Sequence, residues 1–255
     1  MNPEFLYHSS HIEQVTSMEQ LAKVKMLDDF AFGVGPGIVG ISMEELVHIT
    51  EHGAVFAMSS PYGMIAETQV LTSPIEEHPS MTDGEAYCYG TAVHPQFREM
   101  GLAQHMFAKQ EEYAKQNGKS VLTLTIRVEN AGSLRARFKS GFVITGYDAN
   151  CYGSMEEGGA RLWLKKHIDH PNIFDPETYI DGIHQGTIPV LDHDDGSPLP
   201  DICAVAVKPG LSVDSMAHQH VSHLVSKGYQ GVGMMKPTEV PILNGQMALI
   251  FQKHL

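Results

Sequence analysis

At 255 residues, with 42% hydrophobic and 18% charged residues, the chain can bury one large core or two smaller ones and is too apolar to be disordered. The formal charge of −13, from 30 acidic against 17 basic residues, repels phosphates, so no nucleic-acid partner is expected, while a cationic ligand is admitted. No apolar run reaches the roughly 18–20 residues of a membrane helix and the first residues lack a basic-then-apolar leader. Cys88, Cys151 and Cys203 form neither a disulfide framework nor a zinc knuckle; a cytoplasmic chain without membrane attachment is expected.

In chain order, Met18 to Phe32 places Leu21, Val24, Met26, Leu27 and Phe30 near one helical face, and Gly33-Val34-Gly35-Pro36-Gly37 breaks it. Ser42-Met43-Glu44-Glu45 has the form of an N-cap with an acidic first turn, ahead of Leu46 and Ile49. Ala54–Met58 and Met64–Leu71 flank Ser59–Gly63 and predict a hairpin. A polar loop, Ser73 to Asp83, leads into a third strand, Glu85–Val93. A helix from Gly101 to Gln116 follows, with Leu102, His105, Met106, Ala108, Lys109 and Tyr113 toward one side and Asn117-Gly118 as its stop. Val121–Val128 then reads as a strand, Ala131–Ser140 as a short basic helix and Phe142–Tyr147 as extended chain. This alternation predicts a largely parallel region.

His167 to Pro200 is rich in Asp, His, Pro and Gly, including Asp192-His193-Asp194-Asp195-Gly196, and reads as a linker. Strand Ile202–Val207, helix Val213–Ser226 and strands Val232–Met235 and Ala248–Gln252 come after it. The expected division is a first domain over 1–166, the linker over 167–200 and a small α+β region over 201–255. Ala92-Val93-His94-Pro95 returns as Ala206-Val207-Lys208-Pro209, which leaves a degenerate second copy of the fold open.

The block that carries chemistry is Val93-His94-Pro95-Gln96-Phe97-Arg98-Glu99-Met100-Gly101-Leu102-Ala103. It lies between a strand and a helix, where backbone N–H groups lack intrahelical partners and the helix dipole is positive. Gly101 and Ala103 have almost no side chain, so the backbone can approach a pyrophosphate closely, and Arg98 adds charge. An ordinary strand-to-helix turn bent at Gly101 would use the same residues. His167 with His170, and His218-Gln219-His220 with His223, could bring imidazoles together. No cysteine or carboxylate completes a zinc pattern around them, so no metal is expected.

Arg98-Glu99-Met100-Gly101-Leu102-Ala103 resembles the Q/R-x-x-G-x-G/A pyrophosphate loop of the GNAT acetyltransferase superfamily. Asn130-Ala131-Gly132-Ser133 and Lys139-Ser140-Gly141-Phe142 resemble that family's second acyl-CoA motif, and the likeness runs from about Phe5 to Lys165. It implies an α/β fold with a mixed twisted sheet flanked by helices, joined here by the smaller C-terminal region. It also implies acetyl-CoA or a similar coenzyme A thioester as cosubstrate and direct acyl transfer to a primary amine on a small molecule. Residues 98 to 103 would hold the pyrophosphate, Asn130 and Ser133 would belong to the second motif, and pantetheine would meet the backbone at Ala92 and Val93.

For the base, the candidates are Glu85 and Glu67; Tyr87 stands where the family often has a carboxylate. Relatives often have a tyrosine, the acid for the leaving thiolate, at the position of Arg137. A guanidinium cannot serve as that acid, though it could stabilise thiolate or phosphate by charge. Binding of acyl-CoA without turnover is therefore the rival expectation. The C-terminal region leaves a homodimer open.

Overall fold

The computed structural model describes residues 10–33, 40–75, 81–191, 198–210 and 212–254. The expected breaker at 34–37, the middle of the 73–83 loop and the acidic run at 192–196 lie outside the described residues. The chain divides into two compact units, 1–123 and 124–255.

The first unit runs β1 (His11–Gln14), α1 (Met18–Phe32), α2 (Met43–His52), β2 (Gly53–Ser60), β3 (Gly63–Leu71), β4 (Glu85–Val93), a 3-10 turn (Pro95–Phe97), α3 (Leu102–Gln116) and the start of β5 (Val121–Ile126). Ser17 and Ser42 open α1 and α2 through capping boxes closed by Gln20 and Glu45, each satisfying first-turn donors that the helix cannot. The strand order is β1-β2-β3-β4-β5; β1 to β4 pair antiparallel, and β4 pairs parallel with β5 at Glu85–Tyr87 opposite Val121–Thr123.

Two helix faces differ from expectation. The buried residues of α1 are Leu21, Val24, Leu27 and Asp28, while Met26 and Phe30 are exposed (71% and 61%). The i, i+3, i+7 stripe 21-24-28 carries a polar residue into the core, which a hydrophobicity pattern passes over. On α3 the buried residues are Leu102, Met106, Phe107, Gln110 and Ala114, not His105 and Lys109; Gln110 Nε2 donates to Gln69 O at 2.9 Å and so tolerates the interior.

The second unit contains the end of β5, α4 (Ala131–Lys139), β6 (Val143–Asp148), β7 (Arg161–His167), α5 (Glu177–His184), β8 (Val190–Leu191), β9 (Ile202–Val207), α6 (Ser215–Ser226), β10 (Tyr229–Met235) and β11 (Met247–Lys253). Its strand order is β5-β7-β6-β10-β11-β9-β8. β6 pairs antiparallel with β7 and β10, β11 pairs antiparallel with β10 and β9, and β8 runs parallel to β9. The expected largely parallel region is therefore corrected to a mostly antiparallel one, because β7 returns between β5 and β6. The stretch expected as linker holds α5 and β8, and Ile183 of α5 packs into a core with Ala204, Met235, Val240, Ala248 and Ile250.

A repeat is visible in this order. β5-α4-β6-β7 places its last strand between its first two, and β9-α6-β10-β11 does the same with β11. Topology thus pairs β9 with β5, whereas the Ala-Val-x-Pro echo pairs it with β4. The tetrapeptide reports how a strand ends before a proline, not which strand it is. Among the described residues no helix is long and apolar enough to cross a membrane.

Candidate active site

β4 ends with the His94 N–H donating to Ile65 O at 2.9 Å. The 3-10 turn buries Phe97 and brings the chain to two residues of positive φ, Glu99 (64°) and Gly101 (79°). Glycine meets the left-handed requirement at position 101 without steric cost; at Glu99 the conformation is strained, a condition that clusters at ligand sites. Gly101 is the N-cap of α3 and supplies no side-chain cap, in contrast to Ser17, Ser42, Asn130 and Asp214 on α1, α2, α4 and α6. The backbone N–H groups of Leu102 and Ala103, the first two of the helix, have no intrahelical carbonyl, and no cap side chain stands over them, at the positive end of a fifteen-residue helix. Arg98 is exposed and steadies the turn: Nε donates to Val93 O at 3.3 Å and NH2 to Ala31 O at 2.6 Å, a carbonyl in the last turn of α1.

Upstream of that loop, at Tyr89–Gly90, β4 is bulged. The register passes from Thr68 opposite Thr91 to Val70 opposite Cys88, so Gln69 faces both Tyr89 and Gly90. Thr68 Oγ1 donates to Gly90 O at 2.9 Å, and a Cβ on Gly90 would stand 2.5 Å from Gln69 Oε1, a buried acceptor with no hydrogen-bond partner. Glu67, fully buried, takes the Ala92 N–H on Oε1 at 3.1 Å and the Gln69 amide on Oε2. The Ala92 N–H is thus engaged within the sheet and is not a free donor for a thioester carbonyl. N–H directions alternate along a strand, so that of Val93 faces the edge away from β3.

Burial, then the Asp28 charge, raises the Glu67 carboxyl well above its ordinary range. Burial likewise pushes Asp28 up to about 6, against the opposing hydrogen bond from Ile41 N–H at 3.3 Å. Glu85 occupies the other end of β4, about 26 Å of extended chain from Val93, where its carboxylate accepts the Thr82 N–H at 3.1 Å. Tyr87 is buried and meets the Tyr89 ring edge-on at 5.6 Å; the Tyr89 hydroxyl donates to Glu45 Oε1 at 2.9 Å. The structure therefore sets Glu67, Ala92 and Val93 on the loop side of the bulge, and Glu85 and Tyr87 beyond it.

In the second unit, Asn130 caps α4, its Oδ1 accepting the Ser133 N–H at 3.1 Å. Arg137 is buried, its guanidinium 5.4 Å from the Phe142 ring centre. One residue before the cap, buried Glu129 accepts the Asp214 N–H at 3.0 Å on Oε1, the oxygen that also lies 2.7 Å from His218 Nε2. His218 Nδ1 lies 2.9 Å from the Tyr147 hydroxyl. Burial raises Glu129, but the His218 and Asp214 hydrogen bonds outweigh it and hold the carboxyl below its usual range. Burial and the Glu129 charge push Tyr147 up to about 12.

The sequence does not single out Asp28, Gln69, Glu129 or Tyr147 as site residues, and it raises His218 only as a metal ligand. Gly90 inside a strand pattern was the available signal for the bulge, and Asp28 on the 21-24-28 stripe the signal for a buried carboxyl; none marks Glu129. Among the described residues no three His, Cys, Asp or Glu side chains gather as metal ligands would.

Residues 62–142 match the model of the acetyltransferase (GNAT) family. No curated protein sequence matches the chain. Among solved structures, the ribosomal-protein-S18-alanine N-acetyltransferase from Escherichia coli is similar with a TM-score of 0.51 at 16% identity, over 65% of this chain and 99% of its own. A putative GNAT acetyltransferase from Desulfovibrio desulfuricans gives 0.51 at 15%, over 62% and 99%. A putative acetyltransferase from Salmonella typhimurium, solved with its cofactor acetyl-CoA, gives 0.50 at 14%, over 66% and 98%. At these identities the likeness is one of fold, and the family match and the loop agree with it: residues 62–142 carry the sequence pattern of the acetyltransferase (GNAT) family.

Proposed function

We propose that the protein transfers an acetyl or similar acyl group from coenzyme A to a primary amine by direct attack. The observation that carries this reading is the uncapped, left-handed entry to α3, Glu99-Met100-Gly101, whose N–H groups and helix dipole suit a pyrophosphate; Arg98 adds its charge. The Val93 N–H, facing away from β3, is the donor that would polarise the thioester carbonyl. The amine nitrogen forms the new C–N bond as the C–S bond breaks; one amine proton leaves, and the thiolate gains one to become the free thiol. Glu67 is the proton acceptor that the geometry favours over Glu85, because it is bonded to Ala92 on the loop side of the bulge. Burial raises its carboxyl well above the ordinary range, which strengthens it as a proton acceptor. The acceptor is a small-molecule amine, in keeping with the acidic chain.

A second reading, acyl-CoA binding without turnover, draws on Arg137, which lies buried against Phe142 and offers no acid for the thiolate. One assay separates the two. Acetyl-CoA binding by calorimetry together with release of free CoA across a panel of amines supports transfer; binding with no release from any amine supports the second reading.

A further inference from the structure

The histidine cluster of α6 has a place in the molecule outside the transfer chemistry described above. His218 stands one turn into α6, the helix of the C-terminal repeat, four residues after its cap Asp214. Both ring nitrogens are engaged, Nε2 with Glu129 and Nδ1 with Tyr147. Facing a carboxylate, Nε2 carries a hydrogen toward Glu129, and Nδ1 pairs with the phenol.

Glu129 is held by four hydrogen bonds, and the Arg127 guanidinium lies 3.7 Å from its other carboxylate oxygen. Its backbone oxygen accepts the N–H groups of Ala131 (2.9 Å) and Gly210 (3.1 Å), and Oε1 takes Asp214 N and His218 Nε2. Two of the residues holding it come from the turn before α6, and a third, His218, from its first turn. The residue so held immediately precedes Asn130, whose side chain shapes the first turn of α4. A buried carboxylate costs several kcal/mol unless well paired, and an apolar side chain would fill the same space. What the carboxylate adds is direction: it fixes one backbone turn against another.

We infer that His218 is a positioning residue for acyl-CoA, holding Glu129 and through it the Asn130–Ser133 turn. The C-terminal repeat thereby sets the geometry of the second acyl-CoA motif. This rests on the acyl-CoA reading of that turn.

The test is calorimetric acetyl-CoA affinity and steady-state kinetics for three variants. His218→Leu should raise both Kd and KM for acetyl-CoA tenfold or more, with kcat within about threefold of wild type. His218→Gln, whose amide nitrogen can stand near Nε2, should return both to within about threefold. His218→Asn, which reaches only toward Tyr147, should not. Should His218→Leu fail to fold, Glu129→Gln/His218→Leu removes the buried carboxylate together with its imidazole partner and carries the same expectation. Unchanged KM in a folded His218→Leu or in that double variant, or equal rescue by Asn and Gln, overturns the role of His218 while leaving acyl transfer standing. A wild type that binds no acetyl-CoA overturns both.

Discussion

Two strand-to-helix turns in this chain open on the same pattern and reach opposite ends. After Ala92-Val93-His94-Pro95, the chain turns through left-handed Glu99 and Gly101 into α3, whose N-cap has no side chain to offer. After Ala206-Val207-Lys208-Pro209, Asp214 closes the turn into α6: Oδ1 accepts the Ala217 N–H at 3.3 Å and Oδ2 the Lys208 N–H at 3.0 Å. The second turn is closed by its own cap side chain, which takes two of its N–H groups. The first has no such side chain, which under the proposed transfer leaves the N-terminus of α3 to the pyrophosphate. A helix N-terminus becomes a binding site by what its cap residue withholds.

The largest effect should come from Glu67, the proposed proton acceptor. Glu67→Gln should lower turnover roughly 10²-fold or more with little change in acetyl-CoA affinity, while Glu85→Gln should change turnover less than about threefold. Reversed effects across pH 6 to 9 would move the base to the far end of β4.

Giving the first turn the cap of the second is the most direct way to break the contrast. Gly101→Asp puts a carboxylate where Asp214 has one, and aspartate tolerates positive φ better than most residues. Acetyl-CoA affinity should fall tenfold or more, about 1.4 kcal/mol, with the fold retained. Gly101→Val should lose as much affinity and also stability, since a β-branched residue is strained at φ 79°. Wild-type affinity in a folded Gly101→Asp would remove the pyrophosphate from this turn.

Protonation sharpens the contrast further. Asp214 is a helix cap; Asp28 is buried, with its carboxyl pushed from 3.8 up to about 6. The folded state therefore holds the Asp28 proton longer than the unfolded chain does. The resulting stability is fully present below about 4 and falls as pH rises through 6. Asp28→Asn should flatten that window, gaining on the order of 1–3 kcal/mol over wild type above pH 6 and nothing below 4, as urea unfolding at several pH values would register. Greater loss of stability above pH 6 than below 4 would contradict it. The smallest effect is Asp214→Ala, which should cost about 1 kcal/mol of unfolding free energy as an ordinary cap removal; no change in urea midpoint would mean the cap is redundant.

What the sequence by itself determined is local. The cap Ser42, the Asn117-Gly118 stop and the Gly101 bend are each set by residues within one turn of one another, so contiguous chemistry suffices to read them. Strand β4 and the helix after it were legible for the same reason. Tertiary structure decided the rest. The bulge at Tyr89–Gly90 depends on a register that strand periodicity leaves unfixed, and it is the register that puts Glu67 on Ala92, 25 residues away. Strand β7 was missed because its place between β5 and β6 comes from pairing, not from alternation along the chain. His218 reaches Glu129 across 89 residues; only folding the C-terminal repeat against the α4 turn brings them together, because a buried carboxylate must find its donors wherever the fold supplies them.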